Sequence, residues 1–172
     1  MSASTDGSLI PAVKAAVVLL LTDAEWPALR TPYSTGLPRP LISYTETRDQ
    51  GRDRVIIGDS SDGGGDQEWF TFQPSRLEEF ELAAGIVSEG PGLSAQETTE
   101  RAFAMFNVFA RVLLTAAVEA TPEEPALGIA GMVSIAVRQP RHTDVRDGEG
   151  YMCVIDTGIR VQGWVAPREV EA

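Results

Sequence analysis

Apolar positions along the chain follow two rhythms, one with the period of a helix and one with the period of a strand. The clearest helical rhythm runs from Ala95 to about Glu119. No proline or glycine interrupts it, and Phe103, Phe106, Ala110, Leu113 and Ala117 recur at helical spacing. The preceding "SAQE" at 94–97 predicts a capping box, in which the Ser94 hydroxyl accepts from the Glu97 N–H and the Glu97 carboxylate accepts from the Ser94 N–H. A second helix is predicted from "PAVKAAVVLLL" to about Leu21, with Pro11 in the first turn, where its missing N–H removes no helical bond. That helix is apolar nearly all round, so protein should cover most of it.

Alternation marks the strands. In "RLEEFELAAGIVS" (76–88), Phe80, Leu82, Ala84 and Ile86 share one face, and Glu79, Glu81 and Ala83 the other, as in a strand with one buried and one wet side. "IAGMVSIAV" places Ile129, Gly131, Val133, Ile135 and Val137 together. "MCVIDTGIRVQGWV" does the same with Ile155, Thr157, Ile159, Val161 and Val165, opposite Asp156, Arg160 and Gln162. Between these two, the polar "RQPRHTDVRDGEG" (138–150) reads as a projecting loop, too long for a tight hairpin. Shorter strands are predicted at "LISYT" (41–45), "RVIIGD" (54–59) and "EWFTF" (68–72). The order is helix, two or three strands, long helix, two strands, with no internal repeat. It predicts an α+β fold: a mainly antiparallel sheet with two helices packed on one face and a polar face exposed.

A length of 172 residues supports one hydrophobic core. Residues 1–9 read as a flexible N-terminal tail, 10–166 as a single α+β domain and 167–172 as a C-terminal tail. With 43% hydrophobic and 23% charged residues the chain has a globular composition. Charge adds a constraint: 25 acidic against 14 basic residues leave −11, and Lys14 is the only lysine. Tight nucleic-acid binding is disfavoured, because it draws on clustered positive charge. The densest basic stretch, "TRDQGRDR", interleaves Arg48, Arg52 and Arg54 with Asp49 and Asp53. The apolar run Ala15 to Leu21 is far short of the roughly 20 residues a bilayer span needs. It also lacks the basic start of a secretory signal, so a reducing, cytoplasmic setting and no membrane are expected.

Candidate chemistry is sparse. "GDSSDGGGDQEWFTF" (58–72) gathers Asp59, Asp62 and Asp66 ahead of Glu68, oxygen donors of the kind calcium takes. The EF-hand rhythm is absent, and consecutive glycines raise the ordering cost of holding carboxylates together. A phosphate cradle would need a Lys-Ser/Thr and a helix start that the stretch does not have. A flexible acidic connection is the plainer reading. His142, the only histidine, lies two residues before Asp144 in the predicted loop, and no nucleophile elbow accompanies it. Cys153, alone, forms no disulfide within the chain and sits in an alternating strand as a small buried hydrophobe. Lys14 is expected to snorkel to the surface. The residues therefore point to no catalytic group, no metal and no cofactor, and favour an assembly or binding component over an enzyme.

The order and spacing of "PAVKAAVVLLL", "VIIGDS", "EEFELAAGIVSEGPG", "ERAFAMFNVFARVL" and "GIRVQGWV" resemble the tail terminator proteins of long-tailed, non-contractile bacteriophages, over about Pro11 to Val165. The resemblance implies a structural virion protein, made in the host cytoplasm, that forms a homohexameric ring. It would cap the head-proximal end of the tail tube and join it to the head connector or stopper, with DNA passing through without tight binding. Its partners would be its own copies, the tail tube protein and that connector. An acidic ring built from copies at −11 would repel DNA and let it slide. Within this reading Asp59, Asp62 and Asp66 belong to an adaptable loop leading to Trp69, Phe70 and Phe72. Those aromatics pack either on a neighbouring subunit or in their own core. Arg138, Arg141 and Arg146 are the other candidate contacts, arginine being favoured at interfaces. The rival readings are another neck or tail-completion protein, or a small calcium- or ligand-binding domain using Asp59–Glu68. Shortening Gly63–Gly65 is expected to impair assembly, scored by electron microscopy, while the folded monomer survives; loss of the monomer's circular dichroism would contradict that assignment.

Overall fold

A computed structural model of the chain describes residues 8–26, 40–44, 53–60, 67–69, 76–119, 121, 124–147 and 150–165. In chain order the elements are α1 (Ile10–Asp23), β1 (Leu41–Ser43), β2 (Arg54–Ser60), β3 (Gln67–Trp69), β4 (Arg76–Pro91), α2 (Ala95–Val118), a 3-10 turn (Ala126–Gly128), β5 (Met132–Val137), β6 (Arg141–Asp147) and β7 (Gly150–Val165).

The two strongly alternating stretches form the two longest strands, β4 and β7, of 16 residues each, and they pair antiparallel without a break from Arg76↔Val165 to Pro91↔Gly150. On one flank β2 and β3 pair in succession with β4; on the other, β5 and β6 pair in succession with β7. The short β1 adds to β2 as the one parallel pair, so the seven-stranded sheet is mainly antiparallel as expected. Phe80, Leu82, Ala84 and Ile86 of β4 and Ile155, Ile159, Val161 and Val165 of β7 turn to one face, where both helices cover them. The architecture is α+β, with two helices on one face.

Helix α2 opens with the expected capping box: Ser94 Oγ accepts from Glu97 N at 3.2 Å and Glu97 Oε2 accepts from Ser94 N at 2.8 Å. Its buried stripe is Thr98, Ala102, Met105, Phe109 and Leu113. The stripe expected from the aromatic spacing is therefore turned, with Phe103 and Phe106 flanking the core rather than filling it. By length and composition α2 could cross a bilayer, but this stripe packs on the sheet. Helix α1 buries only Val13, Val17 and Leu21; Leu19 is 64% exposed, contrary to the expectation of a mostly covered helix.

Two strand readings change. Residues 138–150 are not a projecting loop. Arg141–Asp147 is β6, paired along β7 to Asp147↔Gly150, so only two residues connect the strands. Polar residues hid this strand because among the described residues β6 has a neighbour on one side only, where exposure makes polar side chains inexpensive. In β5 the register shifts between Met132 and Ser134, a bulge that breaks the even alternation. Met132 and Ile135 consequently both pack on the core, while Val133 is 54% exposed. Gly131, just before the bulge, has φ +87, and a Cβ there would collide with the Trp164 carbonyl oxygen. Of the expected "EWFTF" strand, Glu68 and Trp69 lie in β3 and Phe70–Phe72 lie outside the described residues.

Leu9 at the N-cap of α1 offers no side-chain acceptor for its own N–H, although Ser8 Oγ accepts from Ile10 N at 3.1 Å. Glu78 supplies one from the sheet: its carboxylate accepts from Leu9 N and from Ser8 Oγ, each at 2.6 Å. Glu78 is 1% exposed, and a carboxylate at a helix N-terminus is favoured by the macrodipole. Glu78→Ala, which orphans the Leu9 N–H, is expected to cost about 2 kcal/mol. The loss should appear as a lower urea midpoint with an unchanged slope, and Glu78→Gln should lose less.

Candidate functional site

No element among the described residues packs on the second face of the sheet. Its residues have the opposite parity to the core: Glu79, Glu81, Ala83 and Gly85 on β4, and Asp156, Gly158, Arg160 and Gln162 on β7. A side chain added at Gly85 would meet nothing within 4 Å. Charge is laid over this face as crossed pairs. Arg160 Nε donates to Glu79 Oε1 at 2.6 Å, and its Nη2 donates to the same oxygen. Arg138 Nη1 pairs with Glu81 Oε1 at 2.7 Å, and its Nη2 donates to the Thr157 carbonyl at 3.2 Å. Glu81 lies over Gly158, where any side chain would displace its carboxylate. The arginine side chains are 48% and 67% exposed and their carboxylate partners 27% and 33%, so positive charge forms the outer layer. Exposed pairs of this kind contribute at most about 1 kcal/mol to stability.

Of the interface residues expected from the sequence, the structure gathers the arginines. Arg138, Arg141 and Arg146 line one flank, along β6 and the segment before it. Arg141 stands opposite Asp156 on the open face, and Arg146 lies over the Tyr151 ring at 5.6 Å on the helix side. Asp59 is the next-to-last residue of β2 and Trp69 the last of β3, each described by its backbone alone. Asp62, Asp66, Phe70 and Phe72 lie outside the described residues. Among the described residues no group of three or more His, Cys, Asp or Glu is placed to hold a metal.

Sequence reasoning missed a buried ionic cluster where β2 begins, β4 ends and α2 completes its second turn. Arg101 pairs with Asp53, and Arg54 Nη1 with Glu89 Oε1 at 3.2 Å. Burial pushes the Asp53 carboxyl above its usual range, against the pull of the Arg101 guanidinium, the Ser88 hydroxyl and the Glu89 N–H. The self-neutralising look of "TRDQGRDR" hid this pairing, because Asp53 and Arg54 find partners 48 and 35 residues away. Glu78 was missed as well, though its parity, shared with Phe80 and Leu82, marked it as a buried acid.

His142 lies on β6, in a strand and not a loop, edge-on to Phe103 of α2 at 5.5 Å. Asp144 accepts from Thr99 Oγ1 at 3.0 Å and so faces α2 from the same side of β6 as His142. Cys153 is fully buried. Burial and the neighbouring Asp144 carboxylate push its thiol up to about 11. The thiol and the Thr99 hydroxyl both meet the Asp144 carboxylate, while the open face exposes arginine–carboxylate pairs.

These features define a two-layer α+β protein by fold. The chain matches no protein-family model and no curated protein. Its fold is similar to that of a chain in the virion of a native gene transfer agent particle, with a TM-score of 0.55 at 14% sequence identity. The likeness covers 93% of this chain and 100% of that one.

With its pKa near 11 and no exposure, Cys153 should resist a disulfide reagent at pH 8 in the native state. One thiol should react as soon as the chain is unfolded in guanidinium. Rapid native labelling would show that β6 opens from β7.

Proposed function

We propose that this protein is a structural component of a phage-like virion. It acts as a tail terminator, forming a six-fold ring that caps the head-proximal end of the tail tube and joins it to the head connector. The observation that carries this reading is the extent of the fold likeness: all of a virion chain, and nearly all of this one, share the same arrangement of sheet and helices. A shared motif alone would carry much less. The resemblance of the ordered sequence phrases to tail terminators points the same way, and it supplies the finer role.

Physical features agree with that role. A sheet face left open by the described elements, topped by charge, suits contact with further protein chains, and an asymmetric subunit builds a closed ring through head-to-tail contacts. The excess of carboxylates disfavours adhesion to DNA passing through such a ring. The partners are then its own copies, the tube protein below and the connector or stopper above. Another neck or tail-completion protein is the second reading, because it would share virion location and ring symmetry.

Immunogold electron microscopy of particles from the source lysate tests the assignment. Label should be confined to the head–tail junction, and label on the capsid, along the tube or at the distal tip would overturn it. Silencing the gene separates the two readings. Overgrown tails of irregular length are expected for a terminator, whereas unjoined tails of uniform length would identify a neck or completion protein.

A further inference from the structure

The two strands that flank β7 in succession are held to it by different means. Burial holds β5: Ile135 lies in the core, and Met132 and Val137 pack against it. Strand β6 puts nothing there. Residues 141–146 are all exposed, and none of them belongs to the apolar cluster or to its border. Among the described residues β6 keeps its place through its ladder with β7 and through contacts at the tips of its side chains. His142 meets Phe103 of α2 edge-on, Asp144 meets the Thr99 hydroxyl and the Cys153 thiol, and Arg146 lies over the Tyr151 ring.

The ends of β6 are breaks in the pairing. Arg138 N donates to the Gly158 carbonyl at 2.8 Å, and the β6 ladder starts at Arg141↔Asp156. Gln139 and Pro140 lie between these points and belong to neither strand, and Pro140 has no N–H to give. At the other end two residues separate Asp147 from Gly150. Strand β7 does not need β6, because every residue from Gly150 to Asp156 is also paired with β4. Lifting β6 would therefore return its hydrogen bonds to water and uncover little apolar surface. Openings of that kind lie far below the free energy of global unfolding.

We propose that β6 is a detachable strap, which opens from β7 as one unit between Gln139 and Gly150 while the rest of the fold stays intact. The open form is the projecting loop that the polar pattern of 138–150 predicts from sequence, and it bares the β7 edge from Gly150 to Asp156. The closed form is the majority state, so Cys153 still labels slowly. The strap stands on the ladder and on the exposure of its residues, and it does not depend on any role in a virion.

Hydrogen exchange read by mass spectrometry on the monomeric fraction of the full-length chain tests it, in urea up to just below the midpoint. Peptides covering 141–147 should exchange at least about a hundredfold faster than those from 80–86 of β4, and still slower than unstructured chain. Their rate should depend weakly on urea, whereas the β4 rate should climb steeply, because only global unfolding exposes much surface. Two variants separate the states. Glu78→Ala removes a contact that closed and open forms share, so it should speed β4 exchange more than about tenfold and leave 141–147 unchanged. Thr99→Val removes the hydroxyl that Asp144 accepts from without altering the sequence of β6, and should speed exchange of 141–147 about fivefold. Trypsin adds a second readout: it should cut after Arg141 or Arg146 in native buffer, in proportion to the open population.

A single rate and a single urea dependence for 141–147 and β4 would overturn the strap. So would equal acceleration of both by Glu78→Ala, no response of 141–147 to Thr99→Val, or trypsin cuts at Arg141 and Arg146 that wait for global unfolding. Exchange of 141–147 at the rate of unstructured chain would also count against it, by showing that no closed strand forms.

Discussion

Everything in this molecule depends on the pairing of β4 with β7. Sixteen consecutive rungs join them, and the parity of that ladder decides which side chains meet the helices and which meet other surroundings. A slip of one residue would turn Leu82 and Ile159 outward and Glu81 and Arg160 inward, so the register is fixed by burial along its whole length. The flanking lanes are subordinate. Both are broken strands, β2 with β3 on one side and β5 with β6 on the other, and each segment takes its register from the long strand beside it. A small residue is needed where the start of α1 approaches the sheet, since a side chain at Gly163 would crowd Leu9; on the open face one at Gly158 would crowd Glu81 of the adjacent strand.

The elements legible in the sequence were those whose physics is local. Alternation in 76–88 and 152–165 reports burial on one face, and the capping box at Ser94 is complete within four residues. What escaped depends on distant residues. The bulge at Met132–Ser134 arises from pairing with β7 and breaks an alternation that looked regular in isolation. Strand β6 has no apolar rhythm because, among the described residues, only its β7 side is paired. The exposed Leu19 was unreadable for the same reason: an apolar helix can be covered by its own sheet or by something else, and the sequence does not distinguish them.

The candidate site shows the same division more sharply. Arg138, Arg141 and Arg146 were recognisable as surface arginines. Their value as a set comes from the pairing that aligns them on one flank, and from the carboxylates of β4 that hold Arg138 over the sheet. Asp53 and Arg101 are 48 residues apart and meet only when β2, β4 and α2 have assembled. Among the described residues Arg54 and Arg101 are kept inside as structural pairs, while Arg138, Arg141 and Arg160 stand on the open sheet face.

The hold of Glu78 on the start of α1 imposes an order of events during synthesis. The helix emerges from the ribosome first, but the carboxylate that accepts from its Leu9 N–H is made 69 residues later. A lone helix of 14 residues is marginal in water, so α1 cannot persist on its own strength while the rest of the chain is being made. Val13, Val17 and Leu21 gain the cover they have in the folded protein only from segments made after them. Until β4 is made, the nascent chain therefore carries an apolar segment without the acceptor that its Leu9 N–H uses in the folded protein.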